Sequence, residues 1–131
     1  MIVKWYNVIL LFISVALTTC KGAGDDKNGV IQFTDIMTAN GVHNTNLIRN
    51  SGIFTCEHPG LYLISVYIQS YQLQNVYYVL KNNNTIAEGY SSLTTSVTVI
   101  QQLTVNDTIS VTGKLYVYCR NKSCLNILQI Q

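Results

Sequence analysis

From Leu61 to Tyr71 the chain alternates without interruption. Tyr62, Ile64, Val66 and Ile68 fall on one side, and Leu61, Leu63, Ser65, Tyr67 and Gln69 on the other. A helix would repeat its apolar positions every three to four residues; a repeat of two demands a long strand with one face against a core. The segment just before it adds a second constraint. Gly52-Ile53-Phe54-Thr55-Cys56 is largely apolar, Glu57-His58 follow, and the chain's single proline, Pro59, breaks the run beside Gly60. Proline removes a ladder donor and glycine permits a sharp reversal, so Gly52 to Tyr62 reads as strand, tight turn, strand.

The same grammar continues on both sides. Val30 to Phe33 is a short apolar run, with Ile36 and Met37 after it, and Thr38 to Ser51 reads as a polar loop turned at Asn40-Gly41. Val76–Leu80 and Thr85–Tyr90 are strands joined through Lys81-Asn82-Asn83-Asn84. Thr95 to Val105 alternates again, grouping Val97, Val99, Leu103 and Val105, and Asn106-Asp107 turns it into Thr108–Thr112. Leu115–Cys119 and Leu125–Ile130 form a last pair around Arg120 to Ser123. No helix is expected beyond the N-terminal leader. Many strands at regular turn spacing imply an all-β jelly roll or sandwich.

Composition bounds the function. The chain has 131 residues, enough for one domain with a real core, and its net charge is only +2, with no Lys/Arg cluster. An electrostatic footprint for nucleic acid or an anionic membrane is therefore missing. The first twenty residues stand apart. Lys4 precedes an apolar run from Trp5 to Leu17, then Thr18-Thr19-Cys20, then a polar, glycine-rich stretch from Lys21 to Gly29. This is the order of a secretory signal peptide and is too short for a membrane span. Residues 1–20 are expected to be a leader cleaved after Cys20 or Gly24, with 21–29 a linker and 30–131 the domain. Three glycan sequons, at Asn83, Asn106 and Asn121, fall in expected turns and agree with secretion.

These residues resemble the globular head domain of complement C1q, a relative of the tumour-necrosis-factor jelly roll, from about Val30 to Ile130. Gly52-Ile53-Phe54-Thr55-Cys56-Glu57-His58-Pro59-Gly60-Leu61-Tyr62 resembles the family's Gly-x-Phe-Thr-x-x-x-Pro-Gly-x-Tyr signature. Ile31-Gln32-Phe33-Thr34 is similar to its early Ile-x-Phe-Asp segment, and Leu103 with Asp107-Thr108-Ile109 to its Leu and Gly-Asp-x-Val elements. Asn75 to Asn82, then Tyr90, follows its central hairpin. Phe33, Gly52, Phe54, Pro59, Gly60, Tyr62 and Asp107 thus look like fold determinants. Asn106 stands in place of the turn glycine, which the left-handed tolerance of Asn permits. The closing Ser123-Cys124-Leu125-Asn126-Ile127-Leu128-Gln129 lacks the family's Phe and Gly. Val15-Ala16-Leu17-Thr18-Thr19 is similar to the family's opening strand, so leader and first strand compete for the same residues.

Chemistry-bearing residues are sparse. His43 and His58 have no metal-ligand spacing, and there is no nucleophile elbow, phosphate-cradling loop or Cys–His motif, so no enzyme, catalytic residue, metal or cofactor is expected. Asp107 is assigned to an Asx-type turn, with calcium binding the alternative; Asp25-Asp26 reads as solvated linker. Cleavage of the leader leaves Cys56, Cys119 and Cys124. Cys119 and Cys124, flanking a four-residue loop, are expected to pair and leave Cys56 as a buried strand cysteine; two unpaired thiols are the alternative. Tyr71, Tyr77, Tyr78, Tyr90, Tyr116 and Tyr118 lie on or beside strands, as packing partners or, by the resemblance, trimer contacts.

No Gly-X-Y repeat precedes the domain, so a collagen stalk is absent from this sequence. The resemblance then implies a secreted, head-only, homotrimeric binding protein acting in innate immunity on extracellular glycans or microbial surfaces. A cytokine-like or adhesion ligand for a receptor protein, or a matrix protein, is the other reading.

Overall fold

A computed structural model describes residues 15–21, 29–69, 75–91, 94–113 and 123–131. The expected features at Gly24, Asp25, Asp26, Tyr71, Leu115–Cys119, Tyr116, Tyr118 and Asn121 lie outside them. Within the described residues the elements are β1 (Ala16–Cys20), β2 (Asp35–Asn40), α1 (Thr45–Ser51), β3 (Phe54–Thr55), β4 (Gly60–Gln69), β5 (Asn75–Lys81), β6 (Asn84–Ser91), β7 (Thr94–Leu103), β8 (Thr108–Thr112) and β9 (Cys124–Gln129). They form two antiparallel sheets, ordered β2-β1-β9-β4-β7 and β3-β8-β5-β6. This is the all-β jelly-roll sandwich that the alternating strands imply.

Strand β4 sits where its pattern requires. Tyr62, Ile64, Val66 and Ile68 are all at most 1 % exposed and face the second sheet. Leu17 from β1 and Leu125 and Ile127 from β9 extend the same inner face, opposite Tyr77, Val79, Ile109 and Val111. Each such side chain contributes about 1.5–3 kcal/mol on burial. Val105 does not join Leu103 in the core: β7 ends at Leu103, and Val105 lies exposed in the following turn.

The Gly52 to Tyr62 signature now has a packing explanation. Phe54 and Tyr62 are buried with ring centroids 6.3 Å apart and tilted by 58°, a geometry favoured by aromatic quadrupoles. Gly52 has φ +74° and caps α1, its N–H donating to the Ile48 carbonyl at 2.9 Å. A side chain there would be strained and would also strike the Ile31 carbonyl oxygen at 2.5 Å. Gly60 lets the C-terminus approach: a Cβ would lie 2.5 Å from Gln129 Nε2. Phe33 is fully buried, although Ile31 to Thr34 form no strand and only Val30 bridges to Thr112.

Helix α1 departs from the expected loop over Thr38 to Ser51. It is seven residues long with one buried side chain, Ile48, too short for a helical repeat to show in sequence.

The larger departure concerns the N-terminus. β1 is an interior strand, paired to β2 on one side and β9 on the other. Thr19 is fully buried and its Oγ1 donates to the Leu125 carbonyl at 3.3 Å. The domain therefore reaches upstream of the boundary at residue 30 that the leader reading implies, and removal of residues 1–20 would take β1 with it. The expected Cys119–Cys124 pair is corrected for the same reason. Cys124 is bonded to Cys20, directly opposite it in the β1–β9 ladder with Cα atoms 4.0 Å apart. Assigning Cys20 to a leader removed it from consideration. Cys56 is a buried free thiol, as expected.

The β7–β8 turn ties the sheets together at one end. Asp107 accepts from Asn82 Nδ2 at 2.8 Å, from the Thr104 N–H at 2.8 Å and from Thr104 Oγ1 at 3.0 Å. These bonds, Asn82 foremost, with Lys81 nearby, hold its carboxyl below the ordinary 3.8. Asn106 takes φ +73°, the left-handed conformation expected of the residue replacing glycine.

Two outcomes follow from this architecture. Because the bond closes a separation of 104 residues, Cys20→Ser or Cys124→Ser should cost about 2–5 kcal/mol in denaturant unfolding, and non-reducing peptide mapping should link Cys20 to Cys124. For Asp107, whose folded value is depressed, the stabilisation is present at neutral pH and lost as pH falls below 3.8 through that value. Asp107→Ala should thus lower stability at pH 7 and flatten the acid limb of the stability–pH curve, checked by unfolding at successive pH values.

Candidate functional site

Two surfaces of the described structure gather side chains in a way the core does not require. The first is the outer face of the five-stranded sheet. Register places Ile100, Leu63, Leu128 and Ala16 in one row across β7, β4, β9 and β1. A second row holds Thr98, Ser65, Asn126 and Thr18, with Thr98 Oγ1 donating to Ser65 Oγ at 3.3 Å. The third holds Ser96, Tyr67, Cys124 and Cys20, so the disulfide lies on this outer face. Ile100 and Tyr67 are 54 % and 41 % exposed. No lysine, arginine or carboxylate occurs in these three rows across β7, β4, β9 and β1; on the edge strand β2, Asp35 continues the third row opposite Cys20. Solvent-facing strands usually carry such charges, and their depletion marks surfaces that meet another protein.

The second surface is the end of the sandwich where residues 41–44, the 56–59 turn, the 82–83 turn, the 104–107 turn and the C-terminus converge. Cys56 is the clasp. Its N–H donates to the Asp107 carbonyl at 2.8 Å, and its carbonyl accepts from the Asn106 N–H at 2.9 Å. The Tyr62 hydroxyl donates to the His58 carbonyl at 2.6 Å, and Cys56 Sγ lies 3.1 Å from the same oxygen. Burial pushes both the Cys56 thiol and the Tyr62 hydroxyl up, so both stay protonated donors at neutral pH. Cys56 is thereby inert structural sulfur, not an activated nucleophile.

On the outside of this clasp, His43 reaches Glu57. The His43 N–H donates to Glu57 Oε1 at 3.1 Å, and His43 Nδ1 lies 2.7 Å from Glu57 Oε2. The hydrogen bond from the His43 ring is the main cause holding the Glu57 carboxyl below its ordinary value. The His43 side chain is 79 % exposed. Sequence spacing gave no reason to group these residues, since only the fold brings residue 43 against the 57–58 turn.

The other expected positions sort cleanly. Asn83 and Asn106 are exposed in left-handed turn conformations at this end, accessible to a glycan. Asp107 holds its turn as expected, but by accepting from Thr104, three residues before it, and from Asn82, not by an Asx-type bond to the backbone two residues on. Pro59 is exposed in its turn, while Phe33, Phe54 and Tyr62 are core. Among the tyrosines, Tyr77 is buried, and Tyr78 and Tyr90 are exposed. No helix of the described residues is long and apolar enough to cross a membrane.

Comparison with known proteins agrees with the architecture. Among solved structures, the globular domain of the zebrafish complement 1qA protein superposes with a TM-score of 0.65 at 14 % identity, covering 89 % of this chain and 98 % of that one. Murine APRIL gives 0.66 at 14 % identity over 88 % and 98 %, and rabbit GITRL 0.57 at 13 % over 89 % and 94 %. At such identities these likenesses concern the fold. No curated protein matches the sequence. The C1q domain matches it over residues 13–116, beginning upstream of β1. With a match across well over half its length, the chain belongs to the C1q domain family.

Proposed function

We propose that this protein is a secreted, non-catalytic binding module that assembles as a homotrimer through the outer face of its five-stranded sheet and acts in pattern recognition. The observation that carries the reading is that face: three ordered rows across β7, β4, β9 and β1 free of Lys, Arg, Asp and Glu, with Asp35 beside them only on the edge strand β2, on a C1q domain. An apolar row flanked by hydroxyls is stable against a second copy and poorly suited to bulk water. Ligand recognition then falls to the turns at the ends of the sandwich, where glycans on Asn83 or Asn106 would also project. Export uses the N-terminal apolar segment, with processing upstream of Val15 so that β1 and Cys20 are retained.

Structural likeness to APRIL and GITRL, members of the tumour-necrosis-factor family, favours one second reading, a ligand for a cell-surface receptor. The two readings share the fold and the assembly and differ in target.

Light scattering on the secreted protein should give three times the mass of the processed chain. Ile100→Lys should shift it to monomer at micromolar concentration, since it replaces an apolar contact of about 2 kcal/mol per copy with a charge. A wild-type monomer would overturn the assembly. Retention on lipopolysaccharide or microbial glycans supports pattern recognition, whereas saturable binding to host cells that protease treatment abolishes supports the receptor reading. N-terminal sequencing should find a start at or before Val15.

A further inference from the structure

We propose that His43, Glu57 and His58 form a site for a borderline divalent transition metal, zinc foremost, at the clasped end of the sandwich. One ligand atom from each residue lies within 4.8 Å of the other two. The closest pair, His43 Nδ1 and Glu57 Oε2, is 2.7 Å apart. Ligand atoms about 2.0–2.1 Å from a tetrahedral zinc stand roughly 3.4 Å from one another. The His43–Glu57 pair is closer than that edge and no pair exceeds 4.8 Å, so side-chain rotation is the adjustment that coordination requires.

The backbone beneath the cluster is already held. Cys56, immediately before Glu57, is hydrogen-bonded on both its N–H and its carbonyl to the 106–107 turn. The carbonyl of His58 is fixed by the Tyr62 hydroxyl, and Pro59 stiffens the next position. Glu57 is aligned by the His43 N–H through Oε1, which leaves Oε2 facing the imidazole. A preset backbone carrying rotatable donors lowers the ordering cost of coordination.

The donor set selects the metal. Two imidazoles and one carboxylate suit zinc and its neighbours, whereas calcium and magnesium require several converging oxygens that this cluster lacks. Three protein ligands leave a fourth tetrahedral position. With the His43 side chain 79 % exposed, that position can take water or a donor from a bound ligand. Metal here would replace the direct His43–Glu57 ring contact with a coordinated link between the 41–44 segment and the 56–59 turn.

Untagged protein stripped with chelator and dialysed against ZnCl2 should retain one zinc per chain by elemental analysis, and CaCl2 should leave none. Co2+ should develop the visible bands of a four-coordinate site. His43→Ala, His58→Ala and Glu57→Gln should each weaken zinc retention by about tenfold or more. Because the His43–Glu57 contact is a surface pair and these side chains contribute little to the core, the metal-free protein should unfold cooperatively with only a small change in melting temperature, which separates lost coordination from lost folding. Failure to retain stoichiometric zinc, or retention unaltered in the His43→Ala/His58→Ala double variant, would overturn the site.

Discussion

Strand β4 is the member on which both halves of the sandwich depend. It is paired along its whole length with β7 and over six positions with β9, and its inner residues form the floor of the core. Its two faces answer to different demands. The inner one must be apolar because Tyr77, Val79, Ile109 and Val111 lie across from it. The outer one is under no such demand, yet keeps Leu61, Leu63 and Tyr67 beside Ser65. A strand that is apolar inside and only mildly polar outside is what a wall shared between subunits needs.

How far the fold was legible follows from where information is local. Period-two alternation announces a strand from its own residues, which is why β4, β7 and β8 are readable directly, and why the Pro59-Gly60 turn falls between β3 and β4. Left-handed Asn106 and the Asp107 turn are equally local. What escaped is non-local or too short. Helix α1 makes less than two turns and offers one buried position. β1 carries both the composition of an export leader and a likeness to the family's opening strand, and its pairing with β2 and β9 decides for the strand. The disulfide was misassigned through the same ambiguity, since Cys20 and Cys124 are neighbours in register and remote in sequence.

The surfaces were less legible than the core. Nothing in the spacing of His43, Glu57 and His58 suggests a cluster; loop 41–44 and the 56–59 turn meet because β1 aligns Ala16 with Asn40 while the Cys56 clasp holds the turn. The row of Ile100, Leu63, Leu128 and Ala16 is likewise assembled from four strands, each contributing one residue. Both surfaces are thus properties of register, and register is set by the buried residues.

The placement of β1 between β2 and the C-terminal strand has a consequence for biosynthesis. The first strand to leave the ribosome waits for the last one before its ladder is complete, because residues 124–128 are its partners. A nascent chain therefore carries an unfinished sheet and an unpaired Cys20 thiol until residues 124–128 have been made, with the Cys56 and Cys119 thiols synthesised in between. Non-local closure of this kind slows folding. Cys56 is held by backbone hydrogen bonds to the 106–107 turn, so that thiol is withdrawn once this turn has formed. Register, which sets Cys20 directly opposite Cys124, then fixes the partner that Cys20 meets.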